Sequence, residues 1–351
     1  MKIHEKYIRR CIEIGQKALG TAAPNPMVGS VITYQNKIIG EGYTSPYGGS
    51  HAEVNAINSV TDKNILFKAH LYVTLEPCSH HGKTPPCADL IIKHRIKKVF
   101  IGILDPHAKV AGAGIKKLRE AGCEVVVGIL EKECRNHHKR FLCYQEKKRP
   151  YIILKWAQSK DLFLAPSQDW RQNSPMPYWI SNPLSRQRVH QWRSEEQSIL
   201  AGTNTVILDN PHLNVRDWKG SSPLRIILDR TLKIPRNYNI FDKATAPSII
   251  LTENTNQELY NKGIEYVLID FKKDLTKQLC DCLYKRHISS VLVEGGAHTL
   301  KRFIGDNLWD EARVFTGMSV FKNGLKAPKI LNKAKTIETL GNDILEIYYN
   351  D

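Results

Sequence analysis

The stretch that decides the fold of the first half of the chain is LYVTLEPCSHHGKTPPC, residues 71–87. Its first five residues, 71–75, form an apolar run of the length of a buried strand. Its last residue, Cys87, begins a pattern that predicts a helix as far as about residue 94. Upstream, His51-Ala52-Glu53 begins another predicted helix over residues 51–60. Strands and helices that alternate in this way favour a sheet with helices packed on it.

The same alternation continues on both sides of this stretch. The first half predicts strands over 28–33, 38–42, 99–104 and 123–127, with helices over 3–19 and 114–121. The second half predicts strands over 151–156, 198–201, 224–228, 248–251, 266–269, 290–293, 312–315 and 344–349, with helices over 183–194, 275–286 and 298–304. Between them, Glu146–Pro150 is charged and closes with a proline, which is typical of a domain boundary. We therefore expect an α/β protein of two domains, residues 1–146 and 147–351.

Composition excludes several classes of protein. The chain has 351 residues, 42% of them hydrophobic and 25% charged, which is ordinary for a globular protein with a core. No apolar run approaches the ~18 residues that span a bilayer, and charges occur throughout Met1–Gly20, so we expect no membrane partner and a cytoplasmic location. Eight cysteines are too few for a disulfide scaffold. The net charge of +16 suits phosphates, but the lysines are scattered, which favours a solvated basic surface.

A zinc site is predicted from His51, Cys78 and Cys87. One imidazole and two thiolates, with water in a fourth position, make an open catalytic site. Glu53, two residues from His51, is placed to carry protons between that water and a departing amine, as in the H-x-E…P-C-x-x-C signature of nucleobase deaminases. A closed structural site is the alternative, because His80 or His81 could supply a fourth ligand. Eight residues separate the cysteines instead of two, and this insert, with its lysine and histidines, suits a phosphate-bearing small molecule.

Three segments together resemble the bifunctional riboflavin biosynthesis deaminase/reductase: APNPMVG at 23–29, HAEV at 51–54 and VTLEPCSHHGKTPPC at 73–87. Asp105-Pro106 and VAGAG at 110–114 are also similar to that family. The resemblance implies a cytidine-deaminase-like three-layer α/β/α domain followed by a dihydrofolate-reductase-like α/β domain. It implies Zn²⁺ and NADPH as cofactors, and a phosphorylated pyrimidine as substrate. The first domain would deaminate 2,5-diamino-6-ribosylamino-4(3H)-pyrimidinone 5′-phosphate, and the second would reduce its ribosyl group to ribityl.

The resemblance also assigns substrate contacts in the deaminase half. It implies that Asn25, Lys83 and Asp105 contact the substrate. An asparagine can pair a donor and an acceptor with a pyrimidine edge, and a lysine can meet a phosphate as a point charge. On local sequence alone, Asn25 is equally explained as a turn residue between prolines, and Lys83 as a solvated loop lysine.

The reductase half has a weaker chemical signal. Val291–Gly296 is an apolar strand followed by two glycines, which let backbone N–H groups approach a phosphate but serve equally well in a tight turn. The motif is not G-x-G-x-x-G, so a Rossmann domain is not indicated. The resemblance implies that NADPH is contacted by Ala157, Trp179, Thr205, Asp209 and Gly296. It implies that the substrate is contacted by Arg193, Leu213, Arg216 and Glu294, the arginines suiting its phosphate. Without it, Trp179 would be assigned to the core, Arg193 to a helix surface and Asp209 to a cap.

This chain departs from the family pattern at several positions. Thr44 and His107 stand where histidine and asparagine are usual in the deaminase half, which puts substrate contacts there in doubt. In the reductase half the departures are Leu162 for glycine, Pro177 and Arg230 for serines, and the segment 315–324. Leu162 in particular is expected to lose easy access to positive φ and to add bulk near the cofactor.

Two other functions compete with the bifunctional enzyme. A nucleic-acid or nucleoside deaminase with an accessory binding domain would suit the charge of +16, but few aromatic residues lie near His51 and Cys87, so we expect no nucleic-acid partner. A non-enzymatic zinc-stabilised module would hold its metal with protein ligands alone. The resemblance further implies a homo-oligomer, either a dimer through the reductase domain or a tetramer.

Overall fold

The computed structural model describes residues 2–79, 85–106, 112–167 and 178–350. The chain divides into two compact units, Met1–Lys148 and Arg149–Asp351. Within the described ranges, the helices are too short or too polar for any of them to cross a membrane.

The first unit is a five-stranded sheet with helices packed on it, which confirms the predicted α/β class. Its helices are α1 (Lys2–Gly15), α2 (Ala52–Ser59), α3 (Cys87–Lys93), α4 (Ala113–Glu120), α5 (Glu131–His137) and α6 (Lys139–Lys147). Its strands are β1 (Gly29–Tyr34), β2 (Lys37–Tyr43), β3 (His70–Leu75), β4 (Lys98–Ile103) and β5 (Glu124–Val127). The sheet order is β2-β1-β3-β4-β5, antiparallel across β2, β1 and β3 and parallel from β3 to β5.

The apolar run of β3 explains why the centre of this sheet is buried. β3 is buried at every position from Leu71 to Leu75, so it reads as an apolar run without alternation. Helix α1 approaches β1 so closely that a Cβ at Gly29 would overlap the Cys11 carbonyl oxygen. A glycine at that position therefore allows helix and strand to pack backbone to backbone.

The second unit is built on a nine-stranded sheet. Its strands are β6 (Tyr151–Gln158), β7 (Phe163–Pro166), β8 (Ser198–Gly202), β9 (Leu224–Leu228), β10 (Ser248–Thr252), β11 (Glu265–Leu268), β12 (Ser290–Val293), β13 (Glu311–Thr316), β14 (Gly324–Lys326), β15 (Thr336–Leu340) and β16 (Asp343–Tyr349). Its helices are α7 (Pro183–Glu195), α8 (Thr203–Asp209), α9 (Leu275–Lys285) and α10 (Ala297–Gly305). The order β11-β10-β9-β8-β12-β6-β13-β16-β15 is parallel up to β13, and β16 and β15 continue it antiparallel. β7 pairs with β14 in a separate ribbon.

Candidate active sites

The metal-ligand residues of the first unit meet in space. The candidate ligand atoms of His51, Cys78 and Cys87 all lie within 4.8 Å of one another. His51 Nδ1 is 3.6 Å from Cys78 Sγ and 3.3 Å from Cys87 Sγ. A tetrahedral zinc ion with bonds of about 2.0–2.3 Å separates its ligand atoms by roughly 3.3–3.8 Å, so these residues fit zinc. Among the described residues, no other group of three or more histidine, cysteine or acidic side chains could hold a metal ion. His80 and His81, the possible fourth ligands, lie outside the described residues.

Two of the three candidate ligands, His51 and Cys87, lie at the N-termini of helices. His51 is the N-cap of α2, and Cys87 is the first residue of α3. The partial positive charge at a helix N-terminus favours thiolate over thiol. The backbone N–H of Cys87 also donates to Cys78 Sγ at 3.3 Å. Hydrogen bonds from the Cys87 thiol and from His51 lower the pKa of Cys78, which favours the thiolate form that binds a cation.

Glu53 lies in the first turn of α2 against this group. Its carboxyl is buried, 4% exposed, and contacts the Cys87 side chain. Burial, followed by the charge of Cys78, raises the pKa of Glu53 to about 7. A carboxyl with a pKa near the working pH can both accept and return a proton.

Glu76 fixes the segment that carries Cys78, a role that the sequence did not indicate. The buried carboxylate accepts four backbone N–H groups, from Asp105, Gly112, Gly114 and Ile115, at 3.0–3.3 Å. A Cβ at Gly114 would overlap the Pro77 carbonyl oxygen. The start of α4 is therefore both hydrogen-bonded to Glu76 and packed against Pro77.

Two of the three predicted substrate residues, Asn25 and Asp105, lie at one end of this sheet. Gly29 at the start of β1 bonds to Thr74 near the end of β3, so the loop that carries Asn25 adjoins the segment that carries Cys78. Asp105 follows β4, which runs parallel to β3, and it is buried at the same end. The Asn25 side-chain amide makes no hydrogen bond to the part of the protein that the structure describes. Lys83 and His107 lie outside that part.

In the second unit, the predicted residues line two adjoining cavities. A cavity of about 460 Å³ is lined by all four predicted substrate residues, Arg193, Leu213, Arg216 and Glu294. A cavity of about 860 Å³ is lined by all five predicted cofactor residues, Ala157, Trp179, Thr205, Asp209 and Gly296. Trp179, Thr205, Asp209 and Glu294 border both. Trp179 is 59% exposed, so it stands at the cavity mouth and not in the core.

A buried ion cluster lies where the cavities meet. Glu294 accepts a forked pair from Arg193, at 2.7 and 2.9 Å, and a third bond from Lys155 at 3.3 Å. Burial alone would raise the pKa of Glu294, but Arg193 and Lys155 outweigh it and hold that pKa at about 2. The Arg193 fork, expected to suit a phosphate, is therefore directed at Glu294. Arg193 is not a helix-surface cation, since its side chain is 12% exposed.

Sequence reasoning missed Lys155, which borders both cavities. Burial lowers its pKa, while Glu294 opposes that shift. The available signal was a lysine inside the apolar strand segment Tyr151–Trp156. A charged residue in a strand between buried neighbours needs a partner, and here the partner is 139 residues away.

The departures in the reductase unit have different consequences from those expected. Leu162 keeps the left-handed backbone, with φ of 66°, and its side chain is 57% exposed. It does not line either cavity, so the expectation of bulk near the cofactor edge is not supported there. Arg230 pairs with Glu253 at 2.6 Å and lines neither cavity. The segment 315–324 contributes Asn323 and Gly324 to the larger cavity, and Pro177 lies outside the described residues.

Comparison with known proteins covers both units. Residues 1–103 match the model of the cytidine and deoxycytidylate deaminase zinc-binding region. Residues 150–344 match the model of the RibD C-terminal domain. The chain is 37% identical to the riboflavin biosynthesis protein RibD of Aquifex aeolicus over 98% of both chains. It is 40% identical to the RibD protein of Actinobacillus pleuropneumoniae over 83% of this chain and 77% of that one.

Solved structures agree with these matches. A diaminohydroxyphosphoribosylaminopyrimidine deaminase/5-amino-6-(5-phosphoribosylamino)uracil reductase from Thermotoga maritima superposes with a TM-score of 0.89 at 36% identity, covering 99% of this chain and 98% of its own. Acinetobacter baumannii RibD gives a TM-score of 0.87 at 30% identity, covering 99% of both chains. The fold, the cysteine–histidine group and these relatives place the chain in the RibD family, the bifunctional enzymes of riboflavin biosynthesis that join a zinc-dependent deaminase to an NADPH-dependent reductase.

Proposed function

We propose that the first unit deaminates 2,5-diamino-6-ribosylamino-4(3H)-pyrimidinone 5′-phosphate and that the second reduces the ribosyl chain of the product. The product of both steps is 5-amino-6-ribitylaminouracil 5′-phosphate. The observation that carries this proposal is the meeting of His51, Cys78 and Cys87 beside the buried carboxyl of Glu53. The Thermotoga relative, named for both reactions, supports the choice of substrate.

In the deaminase, His51, Cys78 and Cys87 would hold zinc, which when bound lowers the pKa of water and makes it nucleophilic near neutral pH. Water adds to the ring carbon that bears the amino group, the C–N bond breaks, and ammonia leaves as the carbonyl forms. Glu53 takes a proton from the attacking water on a carboxylate oxygen and returns it to the departing nitrogen. We propose that Asn25 and Asp105 orient the pyrimidine and that Lys83 meets the phosphate.

In the reductase, NADPH would, when bound, supply a hydride, and C1′ of the ribosyl group is the carbon that is reduced. The bond from C1′ to the ring oxygen opens, and that oxygen gains a proton. Lys155 Nζ stands where the two cavities meet, and burial lowers its pKa, so we propose it as the group that supplies this proton. Arg216 and Leu213 would hold the substrate, in a cavity that Glu294 and its partner Arg193 also line. The predicted cofactor residues Trp179, Thr205, Asp209, Ala157 and Gly296 would hold NADPH.

The test incubates the purified protein with the diamino-ribosylaminopyrimidinone phosphate and NADPH. Ammonia release and NADPH consumption are followed together. We expect ammonia first and NADPH loss only after it, because the reductase acts on the deaminated product. If ammonia is released while NADPH stays constant, the deaminase proposal survives and the reductase proposal fails. If neither changes, both fail.

We also propose that the protein is a homo-oligomer, either a dimer through the reductase unit or a tetramer. β15 is an edge strand of the nine-stranded sheet, and its Ile337 is exposed, which supports pairing at that edge. Light scattering of the eluting protein measures the mass directly. We propose a cytoplasmic location because the phosphorylated substrate and NADPH are charged molecules that membranes exclude; fractionation of expressing cells tests it.

A further inference from the structure

The loop that carries Asn25 has few backbone donors with which to fix itself. Pro24 and Pro26 flank Asn25, and proline has no N–H group. Asn25 N–H donates to the Ala22 carbonyl and Val28 N–H donates to the Pro26 carbonyl, each at 3.0 Å, and the Met27 carbonyl is held by another element. Two side chains from outside the loop add hydrogen bonds to the backbone that follows Asn25.

Thr44 supplies the first of these donors. Its side chain is 3% exposed, directly after β2. Its hydroxyl donates to the Pro26 carbonyl oxygen at 2.9 Å and accepts from Val28 N–H at 3.0 Å. The Thr44 backbone N–H donates to the Val28 carbonyl at 3.0 Å. The single hydroxyl proton of Thr44 is thus used on the loop and is not available to a substrate.

His137, the last residue of α5, supplies the second. Its Nε2 lies 2.6 Å from the Met27 carbonyl oxygen, and the residue is 7% exposed. A carbonyl can only accept, so Nε2 carries the proton. Burial lowers the pKa of His137, which favours the neutral imidazole with this one N–H as its donor.

Gly15 at the end of α1 leaves room for that bond. A Cβ at Gly15 would lie 2.8 Å from His137 Nε2 and also 2.8 Å from the Met27 carbonyl oxygen. A methyl group there would occupy the space between donor and acceptor. A substitution at Gly15 would therefore disrupt the His137–Met27 hydrogen bond without changing His137, Met27 or a metal ligand.

We propose that Thr44 and His137 are positioning residues of the deaminase, which clamp residues 26–28 so that the Asn25 amide presents a fixed edge to the pyrimidine. This inference rests on the proposed role of Asn25 as a substrate contact. Two side chains from separate elements hold consecutive residues immediately after Asn25, while its own amide is left free within the described part of the chain. A preorganised amide loses less freedom when the substrate binds.

The test measures ammonia release with Thr44→Val, which keeps the shape and removes the hydroxyl. We expect kcat/KM to fall about 10- to 100-fold, mainly through a higher KM, because a displaced contact weakens binding and orientation. Thr44→Ser, which keeps the hydroxyl, should recover most of this loss. His137→Gln, whose amide nitrogen can reach the Met27 carbonyl, should be milder than His137→Leu. Thr33→Val, which removes a buried hydroxyl elsewhere in the unit, is the matched control and should leave KM unchanged.

A double-mutant cycle with Asn25→Ala tests whether Thr44 acts through Asn25. If Thr44 acts through Asn25, Thr44→Val should have almost no further effect on KM in the Asn25→Ala protein. Equal effects in both backgrounds would overturn the inference. Wild-type protein that releases no ammonia would overturn the proposed function together with it. If Thr44→Val protein does not fold, Gly15→Ala is used in the same cycle, with zinc content and NADPH consumption on deaminated product as measures of intact structure.

Discussion

At the scale of the residue, Glu294 is the side chain on which the reductase site depends most. It faces Arg193 and Lys155 in a buried setting, and removing its charge leaves two cations without compensation. We expect Glu294→Gln to destabilise the second unit by about 3–5 kcal/mol. Urea unfolding at neutral pH measures this loss. Glu253→Gln, which breaks the exposed pair with Arg230, is the control and should change stability by less than about 1 kcal/mol.

The same carboxylate predicts a pH dependence. Its pKa of about 2 lies below the ordinary value for a glutamate, so its contribution to stability is full above that ordinary value. The contribution should be lost as the pH falls through about 2. We therefore expect the stability difference between wild type and Glu294→Gln to be constant from pH 5 to 8, on the order of the same few kcal/mol, and to shrink in stronger acid. A difference that vanished already at pH 6 would contradict the pairing.

Leu162 tests how the reductase unit tolerates its departure from the family pattern. A leucine in the left-handed region is strained by about 1–2 kcal/mol, and its exposed side chain gains little from packing. Leu162→Gly should therefore raise the melting temperature of the second unit or leave it unchanged, with no change in NADPH consumption. Leu184→Gly, at an equally exposed position in the first turn of α7, should instead destabilise by up to about 1 kcal/mol. A loss of stability in Leu162→Gly as large as that in Leu184→Gly would contradict this account.

At the scale of the element, the start of α4 is fastened to the metal centre through Glu76. Four backbone N–H groups point at one carboxylate, so Glu76→Gln would turn an amide donor toward them and leave buried donors unpaired. We expect a loss of roughly 2–4 kcal/mol in stability and weaker zinc binding, because Cys78 lies two residues away. Chelator competition measures the affinity. If Glu76→Gln protein binds zinc as tightly as the wild type, the hydrogen bonds from α4 to Glu76 do not contribute to the metal site.

Elements with strong hydrophobic patterns were predicted from sequence, and those without were missed. The strands and helices expected in both halves form, with ends shifted by a few residues. α5 and α6 were missed because EKECRNH and KRFLCYQEK each carry four charged residues, and α8 because it is only seven residues long. β15 was missed because most of its positions are exposed, and β7 and β14 because they are short and pair only with each other. Tertiary pairing, not local preference, makes these segments strands.

At the scale of the whole molecule, the two sites lie in separate units, so the loss of one activity should leave the other unchanged. Removing zinc with a chelator should abolish ammonia release, since His51, Cys78 and Cys87 all belong to the first unit. NADPH consumption with the deaminated pyrimidine as substrate should continue at its usual rate. Restoring zinc should restore ammonia release. Loss of both activities on chelation would contradict the separation.

Sequence could indicate which residues form the sites but not how they pair. The zinc group was found because its residues recur in fixed motifs whose chemistry is specific. Lys155 and the engagement of Arg193 by Glu294 were not found, because residues more than 100 apart in sequence meet only through the sheet. The roles of Glu76 and His137 were likewise invisible, since each acts through backbone groups that no side-chain pattern reveals.

The most direct test of the account is ammonia release by Glu53→Gln protein that holds as much zinc as the wild type. Glutamine keeps the size of the buried side chain and cannot carry the proton. We expect the rate to fall by at least about 100-fold, the usual share of general acid–base catalysis, with zinc content unchanged. Wild-type ammonia release by zinc-loaded Glu53→Gln protein would contradict the central claim.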